Sequence, residues 1–69
     1  MSREFSKNLA LLRAQRGLSR AELAAIASLS GDAIRSLEVG RRQPRASTLV
    51  ALARALRVTP ARLYGRGGS

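Results

Sequence analysis

The sequence predicts an all-α fold, a compact bundle of five short helices, and three observations carry that reading. Apolar residues recur at three- and four-residue spacing along most of the chain. Ser and Thr stand where those runs begin, and Gly stands where several of them end. No stretch alternates apolar with polar residues as a half-buried strand requires. Sixty-nine residues suffice for one hydrophobic core and not for two, because a domain near 60 residues buries only about 60% of the surface of its unfolded chain.

Phe5, Leu9 and Leu12 follow the spacing i, i+4, i+7, with Lys7, Arg13 and Arg16 elsewhere around the wheel. This pattern predicts an amphipathic helix over about residues 4–16, ending at Gly17. Ser19 and Glu22 make the S-x-x-E capping box, in which the hydroxyl takes a free amide of the first turn and the carboxylate reaches back to the cap amide. The second helix therefore starts there. It passes through Leu23, Ala24 and Ala27, whose small members let another helix approach closely, and stops near Ser28.

Ser30 is the expected N-cap of a third helix, with Asp32 in its first turn, where the helix dipole favours negative charge. Ile34 and Leu37 point inward, and Gly40 ends the helix. Pro44 keeps Arg41-Arg42-Gln43-Pro44 from becoming helical and leaves an exposed basic loop. Leu49, Leu52, Ala53 and Leu56 define a fourth helix starting after Ala46 or Ser47. Thr59-Pro60 reads as the cap and first residue of a short fifth helix carrying Leu63 and Tyr64. The expected domain is 1–64, and Gly65-Arg66-Gly67-Gly68-Ser69 reads as a flexible tail.

Charge is the most informative part of the composition: thirteen basic residues, twelve of them arginines, face four acids, giving a net charge of +9. The distribution is uneven. Residues 1–38 carry six basic and four acidic groups, whereas the seven arginines from Arg41 onward meet no acid at all. A GC-rich genome accounts for the choice of Arg over Lys but not for the missing acids, and a field of this sign favours polyanions.

Without Cys or His there is no disulfide framework, no thiol nucleophile and no ordinary proton shuttle. A zinc site would have to be built from carboxylates alone, so no metal, cofactor or enzymatic activity is expected. Met1 to Lys7 lacks the apolar stretch of a signal peptide, and no apolar run approaches the roughly 20 residues needed to cross a bilayer. The expected location is cytoplasmic, on the nucleoid when bound. With Phe5 and Tyr64 as the only aromatics, the chain lacks both the anchors of a membrane-surface helix and the stacking platforms of single-stranded RNA binding.

The second and third helices, separated by Ser28-Leu29-Ser30, form a helix-turn-helix over about residues 20–39. Ala24 and Ala27 keep the gap between them narrow, while Ile34 and Leu37 anchor the third helix and leave its opposite face free. That face carries Gly31, Asp32, Arg35 and Ser36 at i, i+1, i+4 and i+5. These are the candidate readers of base edges.

With these residues the chain resembles the Cro/C1-type, xenobiotic-response-element-like regulators. The resemblance covers about residues 5–64 and rests on an ordered series: Leu9, Leu12-Arg13, Gly17-Leu18-Ser19, Ala21-Glu22-Leu23-Ala24, Ile34, Leu37-Glu38, Gly40-Arg41, Pro44, Leu49, Leu52-Ala53, Ala55-Leu56, Val58 and Leu63. It implies a lambda-repressor-like five-helix domain that binds double-stranded DNA as a transcriptional regulator, most naturally a repressor. By the same resemblance the DNA-contacting set is Arg20, Ser30, Gly31, Asp32, Arg35 and Ser36. Arg20 holds a phosphate or reaches a base edge. Arg41, Arg42 and Arg45 clamp flanking phosphates, with the minor groove a second possibility for Arg45. Arg13 and Glu38 map onto a structural ion pair that fixes the third helix against the first.

Two departures from the family pattern bear on this reading. The tight turn usually holds Gly where this chain has Ser28, and a left-handed serine costs on the order of 1 kcal/mol. Gly31-Asp32 stands where long polar side chains are expected. Asp32 has two roles open to it, accepting a hydrogen bond from cytosine N4 or stabilising the helix start. Arg35 likewise fits either guanine O6 and N7 or a phosphate. Arg54, Arg57 and Arg62 fall on the polar faces of the fourth and fifth helices, where solvated charge suffices as an account of them.

So small a reading face implies a homodimer, at least on DNA, and a palindromic operator with half-sites about 34 Å apart. Leu63, Tyr64 and the tail read either as a dimer surface or as a link to another domain of a larger regulator. The rival function is that of a protein-interaction module such as an antitoxin or adaptor subunit. No small-molecule effector pocket can be argued from so small a core.

Overall fold

A computed structural model describes residues 3–65 of the chain, apart from the Arg3 side chain. The described residues form five helices and no strand: α1 (Arg3–Gln15), α2 (Arg20–Ala27), α3 (Gly31–Glu38), α4 (Ala46–Leu56) and α5 (Pro60–Tyr64). None is long and apolar enough to cross a membrane. The expected tail lies outside the described residues from residue 66 onward, and Gly65 is the left-handed cap of α5.

The helix starts follow the sequence reading closely. At α2 the Ser19 hydroxyl accepts from the Glu22 amide at 3.0 Å, and the Ser19 amide donates to Glu22 Oε1 at 2.7 Å. At α3 the Ser30 hydroxyl accepts from the Ala33 amide at 3.0 Å. At α5 the Thr59 hydroxyl accepts from Arg62 N at 3.3 Å, with Pro60 in the first turn. The exception is α4, which begins at Ala46, one or two residues earlier than its sequence start after Ala46 or Ser47. Its cap residue is Arg45, which makes no side-chain capping bond.

The helix ends share one solution. A left-handed residue follows or closes each of α1 to α4, and the next amide reaches back five residues: Leu18 to Arg13, Leu29 to Ala24, Arg41 to Ser36 and Val58 to Ala53, at 2.8–3.1 Å. Three of those returning residues, Leu18, Leu29 and Val58, are apolar and pack on the core. After α3 the returning residue is Arg41, which is exposed, and the chain turns there into the basic loop. The left-handed positions are Gly17, Ser28, Gly40 and Arg57. Arg57 therefore caps α4 rather than lying on the polar face of a helix, which corrects its sequence placement.

The core is one cluster to which every helix contributes: Phe5, Leu9 and Leu12 of α1, Leu23, Ala24 and Ala27 of α2, Ile34 and Leu37 of α3, Leu52, Ala53 and Leu56 of α4, and Leu63 of α5. Truncating a fully buried Leu to Ala removes about 2–5 kcal/mol. A domain of this size holds only about 3–10 kcal/mol in total. Two polar ties hold the ends of the bundle. Ser6 Oγ donates to the Leu37 carbonyl at 2.8 Å, joining α1 to the end of α3, and Asn8 Nδ2 donates to the Leu63 carbonyl at 3.1 Å, joining α1 to α5. Leu63 is fully buried, which removes it from the surface that the sequence reading left open for a dimer or linker. Tyr64 stays 41% exposed and meets Phe5 edge-on, with ring centroids 6.0 Å apart.

Candidate nucleic-acid interface

The helix-turn-helix is built from α2, the turn Ser28–Ser30 and α3. Ser28 adopts φ 59° and ψ 42°, so the turn keeps its left-handed geometry with a serine in place of glycine. Leu29 then packs against the core, and its amide bonds the Ala24 carbonyl at 2.8 Å. This fixes where α3 begins. With Ile34 and Leu37 buried, α3 turns Gly31, Asp32 and Arg35 to solvent and leaves Ser36 half-buried. Ser30 is exposed, and its hydroxyl oxygen is engaged in capping α3. Gly31 faces open space: a Cβ built there would meet no atom within 4 Å. The outward face is thus open at Gly31, negative beside it at Asp32, and positive one turn later at Arg35.

The basic loop follows directly. Gly40 is left-handed, and Arg41, Arg42 and Arg45 are all exposed. Between this loop and the helix-turn-helix lies a cleft of about 420 Å³, with Leu29, Ala33 and Leu37 on one side and Arg42 and Arg45 on the other. Ser47 and Thr48 of the first turn of α4 also line it. The sequence reading had no place for either residue in the site. Their signal was a helix start without an acid or a side-chain cap, which leaves first-turn amides open to an anion.

A three-residue ion cluster stands behind the interface. Arg13 donates from Nε to Glu38 Oε2 at 2.5 Å, from Nη2 to Glu38 Oε1 at 3.1 Å, and from Nη1 to the Leu18 carbonyl at 2.8 Å. The Arg13–Glu38 pair is the one expected from the sequence. The structure adds Arg20, whose Nε donates to Glu38 Oε1 at 2.9 Å. Side-chain exposure separates the three groups: 2% for Glu38, 19% for Arg13 and 43% for Arg20. Burial pushes the Glu38 carboxyl up, but the hydrogen bonds from Arg13 and Arg20 and their charges outweigh it and hold its pKa below the ordinary value. The hydrogen bond to Glu38 raises the Arg13 pKa in turn.

The helix-turn-helix family model matches residues 9–63, most of the chain. The chain belongs to the Cro/C1-type helix-turn-helix family. The family is one of DNA-binding transcription regulators rather than enzymes, and this member is such a regulator. Three solved structures are similar along nearly their whole length. The restriction-modification controller protein C.AhdI from Aeromonas hydrophila is 30% identical with a TM-score of 0.88, covering 91% of this chain and 96% of its own. The clp gene regulator ClgR from C. glutamicum is 26% identical with a TM-score of 0.86, covering 99% and 90%. The P22 c2 repressor, solved in complex with a synthetic operator, is 24% identical with a TM-score of 0.85, covering 90% and 94%, and shows the shared fold. No curated protein matches the sequence.

Proposed function

We propose that this Cro/C1-type member acts as a repressor, binding a palindromic operator as a homodimer in the cytoplasm, with residues 1–64 as the operative domain. In this reading α3 enters the major groove. Arg35 forks on a base edge, Gly31 lets the backbone approach closely, and Ser30, Asp32 and Ser36 lie along the same groove wall. Arg20 and the loop residues Arg41, Arg42 and Arg45 take phosphates on either side, joined by the first turn of α4 at Ser47 and Thr48.

The observation that carries the reading is the division of α3. Ile34 and Leu37 are buried, while Gly31, Asp32 and Arg35 stand exposed beside an acid-free arginine loop. The operator-bound P22 c2 repressor, a DNA-bound neighbour of the same fold, supports double-stranded DNA as the partner. One reading face on a helix of eight residues is small for specific control, which supports pairing two copies across half-sites about one DNA turn apart.

Selection from random duplexes at a stated salt concentration tests the reading. A palindrome is the expected result. A featureless retained pool would point to backbone-only binding, and a chain that retains no duplex would favour a protein partner. Sedimentation of the complex with the selected duplex tests the dimer, which a strict 1:1 complex at saturating protein would rule out.

A further inference from the structure

Arg13 and Arg20 reach the same carboxylate but are engaged by it differently. Arg13 uses all three of its guanidinium nitrogens on Glu38 and Leu18. Among the described residues Arg20 uses only Nε, on Glu38 Oε1. The cluster therefore keeps one surplus positive charge, and the exposed member carries it: the Arg20 side chain is 43% exposed, against 2% for Glu38. An Nε anchored in this way leaves Nη1 and Nη2 as a pair of parallel donors on the free edge of the guanidinium plane, the arrangement that fits two oxygens of one phosphate.

The place of Arg20 in the fold selects its ligand. It is the first residue of α2, and in a helix-turn-helix the first helix crosses the DNA backbone while the second enters the groove. Glu38 is the last residue of α3, the helix carrying the reading face. A contact through Arg20 is thereby tied to the position of α3 by one bonded path across the motif. Glu38 can serve in this way without being consumed, because Arg13 satisfies both of its oxygens from behind.

Resting on the DNA-binding reading above, we propose that Glu38 is a positioning residue for DNA: it buttresses Arg20 through Nε so that the two terminal nitrogens present a fixed fork to a backbone phosphate. Charge at position 20 is then insufficient without the fork. A lysine keeps the charge but cannot bond Glu38 and hold a phosphate in one plane.

The test is a double-mutant cycle on DNA affinity using the full chain and its selected duplex, with variants R20K, R20A, E38Q and the pair R20A/E38Q. Thermal melts establish the temperature at which each variant remains folded. R20K is expected to lose about tenfold in affinity, closer to R20A than to wild type. R20A is expected to flatten the salt slope by about 1. E38Q should weaken binding when Arg20 is present and leave it unchanged in the R20A background. That conditional loss is something a purely structural Glu38 does not produce. Equal losses from E38Q in both backgrounds, or R20K binding like wild type, would overturn the buttress while leaving the DNA reading intact. A wild-type chain that binds no duplex would overturn both.

Discussion

The Ser6 hydroxyl donates to the Leu37 carbonyl at 2.8 Å, a buried bond across 31 residues that ties α1 to the end of α3. It acts where α3 gives way to the basic loop, so it bears on the aim of Arg41 and Arg42 as well as on stability. Ser6→Ala is expected to cost about 1 kcal/mol, the net worth of one buried hydrogen bond. In a domain this small that lowers Tm by roughly 4–8 °C. Thermal denaturation followed by circular dichroism measures it, and an unchanged Tm would show that the bond contributes nothing to the fold.

Ser28 holds a left-handed conformation that glycine adopts without strain. Ser28→Gly should raise stability by about 0.5–1 kcal/mol, the relieved strain being partly offset by the greater freedom of glycine in the unfolded chain. Ser28→Ala should gain nothing, since it keeps the Cβ. Urea midpoints of the two variants separate these outcomes. A gain from alanine equal to that from glycine would mean that the serine hydroxyl, rather than backbone strain, limits this turn.

Features written into neighbouring residues were legible before the fold was known. The Ser19–Glu22 box, the Ser30 and Thr59 caps and the Gly17 and Gly40 stops depend on residues three to five apart, and each appears in the structure. Features that depend on how helices meet were not legible. Arginine has no turn preference, so the left-handed Arg57 arises because Val58 packs on the core and bonds Ala53. The complete burial of Leu63 needs α5 to fold back on α1, where Asn8 bonds the Leu63 carbonyl and Phe5 meets the adjoining Tyr64. Arg20 and Glu38 were each singled out, yet their pairing depends on the angle between α2 and α3 and no spacing rule displays it. The divided face of α3 was legible because apolar periodicity alone determines which side is buried.

Glu38 also makes stability depend on acid. Its folded pKa lies below the ordinary 4.5, so the unfolded chain binds a proton there more readily than the folded one. The contribution of this group is fully present above pH 4.5 and is lost as pH falls through its folded value. Chemical denaturation between pH 7 and pH 3 should therefore show a decline on the acid side that is smaller in Glu38→Gln, although that variant is less stable at neutral pH. Parallel curves for the two proteins would assign the acid sensitivity to other carboxylates.

Arg35 and Arg41 are both exposed, but they hang from different supports. Arg35 stands on α3, whose backbone is fixed by the Ile34 and Leu37 anchors, so in the proposed complex its fork is held at one point along the groove. Arg41 follows left-handed Gly40 at the start of the loop, where a contact to the DNA backbone senses charge more than sequence. Arg41→Ala should weaken binding to all duplexes alike and flatten the salt slope by about 1. Arg35→Ala should instead remove about 1–3 kcal/mol of discrimination at one base pair of each half-site while leaving nonspecific affinity less affected. Titrations of the selected operator and its single-base variants over a range of salt distinguish the two effects. If Arg35→Ala lowered affinity equally for every sequence, Arg35 would join the phosphate clamp, and specificity would have to come from Ser36, Asp32 and the sequence-dependent shape of the DNA.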